Sequence, residues 1–274
     1  MWLLGESFLL HALAAAVLAG SLCAFIGVFI SLKNIIFVGL ALSEVAALGV
    51  AAGLLAGFSP VGGAFAFTIL AGIFFWHPGF RKTLTPETLI GFTFVLAGVL
   101  SVLIISRAPM IRAGGVDLLS GNILYVSSGE VWYILVTLCA AAVIFAAFFR
   151  KILYASFDPD SASASGVSAK LYDFILYFTL SLAIAVSMRS AGVLFVFGSL
   201  IIPPIIGLML GNRIWKVFAI AVSVSVITAP AGIIISYYGD FPTSPMITLL
   251  QAGIVMIVMP AGMLVKRITG TGGR

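Results

Sequence analysis

Charge is what this sequence has least of. Asp, Glu, Lys and Arg make up 8% of its 274 residues and apolar residues 62%, where a soluble globular domain carries about a quarter charged. Together with a mean hydropathy of +1.25, that excludes a soluble enzyme and indicates a polytopic helical membrane protein. The apolar runs lack the alternation of an outer-membrane barrel. Histidine and cysteine number two each, and there is neither an HExxH nor a CxxC pair. Cys23 and Cys139 lie inside apolar runs and read as packing residues. None of the six lysines follows a glycine, so the chain has no GxxxxGK phosphate loop. Its basic excess, +5, comes from scattered loop residues, and without a clustered basic face a nucleic-acid partner is excluded.

What is present is a succession of apolar runs. Nine spans are expected, at 7–32, 34–57, 61–76, 87–105, 130–149, 169–188, 191–211, 217–238 and 245–264, forming one transmembrane domain over residues 1–274. The third is short and open to tilt or re-entry. With only Glu6 ahead of it and no small-residue cleavage site, the first run is expected to be a span and not a cleaved signal. Thr85-Pro86-Glu87 offers an N-cap, a first-turn proline and a first-turn acid, and Ser127 to Glu130 reads as a capping box. With the N-terminus outside, eleven Lys and Arg residues fall on the cytoplasmic side and three (Arg107, Arg112, Arg189) on the other. That bias favours a cytoplasmic C-terminus.

One ionisable residue interrupts the apolar runs well inside a span. Glu44 lies near the middle of the second, on a helix where Ser43, Ala47 and Ala51 recur four apart and Gly49 and Gly53 repeat the spacing. Small residues let helices approach closely, so this helix is expected to be packed by protein. A carboxylate there needs a partner, a proton or water. Two readings stand: Glu44 and Ser43 line a path for a polar substrate, or Glu44 is protonated and bonded to a backbone carbonyl. His11 sits roughly 33 Å above the Lys33 end of the first span and Glu44 roughly 16 Å, so the two cannot share an ion. His11 reads as packed or interfacial, and His77, in the loop WHPGFRK, as a surface residue. The spans hold no second acid for an acid–base pair.

Two loops and three proline sites complete the pattern. Ser106 to Gly129 contains Asp117 and an apolar GVDLLSGNIL segment able to fold back as a short helix. In YASFDPDSASASGVS, 154–168, Asp158 is an N-cap, Pro159 fits the first helical position and Gly166 terminates. A short helix over 158–166, outside the membrane, is expected, with an ordinary connector as the alternative. Pro203 and Pro204 free the carbonyls of Ser199 and Leu200, Pro230 that of Val226, and Pro260 that of Met256. Broken helices at membrane depth are tolerated where the freed groups are satisfied by protein or line a cavity.

Four stretches resemble the permease subunits of metal-type ABC importers, the zinc, manganese and iron uptake family. FVGLALSEVAALGVAAGLL is similar to that family's helix containing aspartate-alanine-leucine-serine-histidine. SFDPDSASASGVS resembles its cytoplasmic FDPE loop, AGVLFVFGSLIIPPIIGLML its glycine-to-proline helix, and GDFPTSP its external DxPTGP turn. Order and spacing agree from about residue 7 to 264.

The resemblance implies an all-α, type II ABC permease architecture like that of the vitamin B12 importer. It also implies a homodimer in the inner (plasma) membrane that alternates access, embedded in lipid beneath a periplasmic or lipid-anchored substrate-binding protein. A separate ATPase subunit would bind and hydrolyse ATP, this chain holding no cofactor of its own. Phe157, Asp158, Pro159, Asp160 and Gly166 would form the coupling helix, and Glu44, Ser43, Ser199 and Pro203 would line the substrate pathway. Glu44 would be the metal contact, for zinc, manganese or iron. One departure matters. Where the family has aspartate and histidine four apart, this chain has Leu40 and Glu44, a harder and weaker site than carboxylate plus imidazole. A chelated metal, another polar substrate, a secondary carrier using Glu44, and a non-transporting scaffold remain the alternatives.

Overall fold

The computed structural model describes residues 7–77, 85–107, 123 and 126–268. The expected fold-back helix in the Ser106–Gly129 loop and the surroundings of Asp117 lie outside these residues, apart from buried Ile123. The elements are α1 (Ser7–Leu32), α2 (Ile36–Leu55), α3 (Pro60–Trp76), α4 (Pro86–Arg107) and α5 (Ser128–Phe157). They continue with α6 (Pro159–Ala164), α7 (Ala169–Leu210), α8 (Ile214–Gly239) and α9 (Thr243–Ile268). Among the described residues there is no strand, and eight helical segments are long and apolar enough to cross a membrane, α7 supplying two of them. The third expected span, α3, is a shorter, 17-residue apolar helix.

The two arms of α7, Ala169–Met188 and Ser190–Leu210, run in opposite directions. Lys33 forms an ion pair with Asp173 and Cys23 meets Ser187, so the first arm is antiparallel to α1. Gly20 faces Phe195 and Gly27 faces Leu200, so the second arm is parallel to it. The reversal turns on Gly192, at φ 77° and ψ 169°, a region open essentially to glycine alone. The loop expected between the sixth and seventh spans is thereby reduced to a kink between nearly continuous helices.

The helix that carries the fifth span is longer than the apolar run: Arg150 and Lys151 follow residue 149, yet α5 continues through Phe157. Basic residues are good helix formers, so the helix ends only where Asp158 leaves helical geometry ahead of Pro159. The expected caps at the other starts are present. The Ser127 amide donates to Glu130 Oε2 (3.1 Å) and the Glu130 amide to Ser127 Oγ (3.4 Å). The Thr88 amide donates to Thr85 Oγ1 (3.3 Å).

Packing follows the small residues. α2 and α3 are antiparallel, and a Cβ at either Gly49 or Gly63 would come under 3.0 Å from the other's carbonyl. A Cβ at Gly27 would likewise meet the Leu200 carbonyl, one of those freed by a proline, and the Pro204 ring. Phe25 and Phe29 of α1 pack against Phe145 of α5 and Phe218 of α8, with ring centroids 4.8 to 5.1 Å apart. This geometry gathers Lys33, Arg150, Lys151, Lys170, Arg213 and Lys216 near one end of the bundle, together with α6. The turn at Ser59, the Ser127 capping box, the Gly192 reversal and the turn at Asp240 lie at the other.

Gly63→Val forces the α2–α3 pair apart and is expected to lower the unfolding free energy by about 1–3 kcal/mol, the cost of overpacking a tight contact. Gly91→Ala, at an exposed position of α4 with nothing within 4 Å of the new methyl, should leave it unchanged within ~0.5 kcal/mol or raise it slightly. Reversible unfolding of the purified variants in mild detergent distinguishes the two.

Candidate functional site

Glu44 is the ninth residue of α2, roughly 12 Å from the Ile36 end. Its side chain is half-buried and turns toward α4, where a Cβ on Gly98 would sit 3.5 Å from Oε2. The absence of a side chain at Gly98 leaves that space to the carboxylate. Among the described residues Glu44 has no hydrogen-bond or ion-pair partner, and no cluster of three or more His, Cys, Asp or Glu residues forms. Asp173, another acid within an expected span, lies within the first two turns of α7 and is paired with Lys33.

Ser43, expected beside Glu44 on the pathway, is wholly buried and donates to the Gly39 carbonyl at 2.9 Å. Gly39, one turn below it on the same helix face, meets Leu200 of the second arm of α7. The neighbours Ser43 and Glu44 therefore face different helices, α7 and α4. Ser199 and Pro203 belong to that same arm of α7. Ser199 accepts a 3.3 Å hydrogen bond from Gln251 Nε2 of α9, and no hydrogen bond joins either residue to Glu44 among those described. The four expected pathway residues thus share a neighbourhood around α2 but not a single coordination shell.

Gln251 escaped sequence reading. It is fully buried in an apolar helix, and its Oε1 has no partner. A lone amide in a 26-residue apolar helix is a readable signal, since polar residues in membrane spans face other helices.

The second expected element, over 158–166, is a single capped unit. The Ser161 amide donates to Asp158 Oδ1 (3.0 Å), Pro159 opens α6, and Ala162 is its buried contact. The Val167 amide reaches back to the Ala162 carbonyl (2.9 Å) and the Gly166 amide to Ser163 (3.1 Å), closing a Schellman turn on Gly166 at φ 78°. Tyr154 of α5 and Ser165 share a 3.2 Å hydrogen bond. Phe157, Asp158, Pro159, Asp160, Ser161 and Ala164 are all exposed, so a rigid two-turn helix projects from the bundle at its basic end. The hydrogen bond from Ser161 holds the Asp158 carboxyl below the usual carboxylate range.

A multi-pass bundle of this kind, with one unpaired acid inside it among the described residues and a capped helix outside, has the form of a polytopic membrane protein, and the comparisons make it a transport-family permease. The fold is shared with a solved membrane-protein structure. The chain superposes on PsaBC from Streptococcus pneumoniae, solved in complex with a Fab, with a TM-score of 0.84 and 25% identity, covering 93% of this chain and 92% of that one. The sequence matches the ABC 3 transport family over residues 6–262, and the chain belongs to that family. It is 31% identical to the manganese transport system membrane protein MntC of Halalkalibacterium halodurans over 91% of this chain and 86% of that protein. It is 28% identical to the manganese import system permease protein ScaB of Streptococcus parasanguinis, over 91% and 89% of the two.

Because the folded Asp158 carboxyl is more acidic than the unfolded one, the cap is fully in place above the ordinary carboxylate range. It should be lost as pH falls through the lowered value. Asp158→Ala should speed amide exchange at Ser161 and its neighbours at neutral pH while leaving exchange in α5 and α7 unchanged. Hydrogen exchange read by mass spectrometry on wild type and variant checks both statements.

Proposed function

We propose that this chain is the membrane-spanning subunit of an ATP-driven importer of a hard divalent metal ion, manganese foremost and ferrous iron next. The observation that carries the reading is the ABC 3 match over residues 6–262 in a chain without a phosphate loop of its own. A transporter subunit that cannot bind ATP in such a loop needs a separate ATPase. The exposed α6, held rigid by its cap and Schellman turn, is the element that such a partner would grip. The basic residues gathered at the α6 end support a cytoplasmic placement of that end by the positive-inside rule, with the N-terminus outside and the C-terminus inside. A substrate-binding protein would deliver the ion at the opposite end, to a homodimer of permeases that opens to one side and then the other.

The metal preference rests on donor chemistry. Glu44 presents carboxylate oxygen alone, with leucine in place of the acid and carboxylate in place of the imidazole that the resemblance would supply at positions 40 and 44. Oxygen donors suit manganese, whereas zinc gains most from imidazole and thiolate. The manganese names of MntC and ScaB point the same way. A dehydrating cation passing Glu44 would compensate the buried charge, and the charge would compensate part of the lost hydration.

Three measurements test this. In a Cys139→Ala background, cysteines replacing exposed Ser161 and Phe241 should be labelled from opposite sides of the membrane. Labelling from one side would end the topology. Glu44→Gln should fold and dimerise normally yet take up manganese roughly tenfold or more slowly, the scale set by losing a charged contact of about 1.5–3 kcal/mol. Wild-type uptake by that variant would remove Glu44 from the path. Ala164→Trp, on the exposed face of α6, should leave ATP hydrolysis by the partner running without transport, and normal coupling would return α6 to a simple connector.

A further inference from the structure

Away from Glu44, a groove of about 550 Å³ opens between α1, α5 and α8. Its walls are Leu22 and Phe25 of α1, Ala142, Ala146 and Phe149 of α5, and Trp215 of α8, among others. The polar side chain on its wall, Ser21, already donates to the Val17 carbonyl at 2.6 Å, so the groove presents no hydrogen-bonding demand. Along α5 it reaches from Leu138 to Phe149, roughly 16 Å, which is about half of a ~30 Å hydrocarbon core. It is therefore one leaflet deep. Its small alanines open toward the surface of the bundle, where Ala142 and Ala146 are exposed.

The end of the groove is as informative as its walls. At the α6 end the rings of Phe149 and Trp215 stack with centroids 4.3 Å apart. Trp215 is 64% exposed, the position of an interfacial tryptophan. Arg150 lies one turn beyond Ala146 on the same stripe of α5, Lys216 follows Trp215, and Arg213 caps the start of α8. All three are exposed, and among the described residues none is in an ion pair. An apolar slot one leaflet deep, ending in an aromatic stack with three exposed basic residues close by in the chain, matches a ligand with a long apolar tail and an anionic head.

We propose that the α1–α5–α8 groove is a binding site for an anionic phospholipid of the leaflet at the α6 end, one acyl chain lying along Ala142 and Ala146 and the phosphate held among Arg150, Arg213 and Lys216. The chain fills a gap that lipid-facing helices would otherwise leave poorly packed, and the basic residues select the head by charge. The site does not depend on the identity of the transported ion.

The test uses the full-length permease in neutral detergent, titrated with dioleoylphosphatidylglycerol or dioleoylphosphatidylcholine and read by native mass spectrometry. Wild type should retain the anionic lipid about tenfold or more better than the neutral one, the preference that a few surface basic residues confer. Ala146→Trp should plug the groove and remove the retained anionic lipid, and Arg150→Gln with Lys216→Gln should reduce its retention to that of the neutral lipid. Val143→Trp, which places the same bulk at an outward position of α5 that is 69% exposed, should retain lipid like wild type. Equal retention of the two lipids by wild type, or undiminished retention by Ala146→Trp, overturns the proposal. A measurement on unplugged protein keeps the test independent of variant folding. Phosphatidylglycerol brominated on its acyl chains should quench the fluorescence assigned to Trp215, by difference from Trp215→Phe, more than brominated phosphatidylcholine. Equal quenching overturns it as well.

Discussion

Backbone approach at glycine is the constraint on which this bundle depends. Lipid tails are as apolar as leucine, so burying apolar side chains between membrane helices supplies little drive, and close van der Waals contact must supply it instead. Gly49 and Gly63 bring α2 and α3 together, Gly20 and Gly27 bring α1 against α8 and the second arm of α7, and Gly72 brings α3 against the first arm. At Gly27 the contact does a second task. Pro204 deprives the Leu200 carbonyl of its helical donor, and that carbonyl sits against the bare Cα of Gly27, sheltered from lipid. A side chain at residue 27 would separate the helices and leave the carbonyl exposed to hydrocarbon.

The reversal at Gly192 determines what surrounds Glu44. Because the chain turns within a few residues, the second arm of α7 returns beside α1 and α2 and carries Ser199 and the proline pair back into the bundle. A longer loop would permit other placements, whereas a kink at one glycine permits few. The arm packs on the Gly39 face of α2, and that leaves Glu44 to face α4 across Gly98. The environment of the buried acid is thus set by a backbone conformation some 150 residues further along the chain.

Much of this was legible in the sequence, and the unequal parts have physical reasons. Apolar runs and capping chemistry are local, so the spans, the Ser127–Glu130 box and the Asp158–Gly166 helix could be read residue by residue. Where helix and span part company the sequence is silent: Arg150 and Lys151 bound the apolar run, but a helix needs no apolar residues to continue beyond the membrane. Contacts between distant segments left no local trace. The Lys33–Asp173 pair, the Gln251–Ser199 hydrogen bond and the groove beneath Trp215 each join residues from different helices. Gly192 was visible as a residue but not as a reversal, since the conformation it adopts is decided by how two helices pack. For Glu44, depth and isolation could be read from its neighbours in the chain, while the residue it faces, a glycine, carries no chemical mark at all.

That facing glycine bears on what Glu44 is for. A carboxylate kept only to be buried would be stabilised most simply by a donor across the interface, and α4 has a nearby serine to offer. Ser101 instead turns its hydroxyl back to the Gly98 carbonyl at 2.8 Å. Ser43, adjacent in sequence, likewise spends its proton on its own helix. Both neighbouring hydroxyls are engaged elsewhere, and the position opposite the carboxylate is left without a side chain. Such an arrangement leaves the carboxyl without a hydrogen-bonding partner among the described residues, and an ionised Glu44 would go uncompensated by protein at a cost of a few kcal/mol. A positive ion arriving beside Glu44 removes that cost, and a fixed protein donor would have removed it permanently. On the function proposed here, the isolation of the acid leaves its oxygens free for a passing cation.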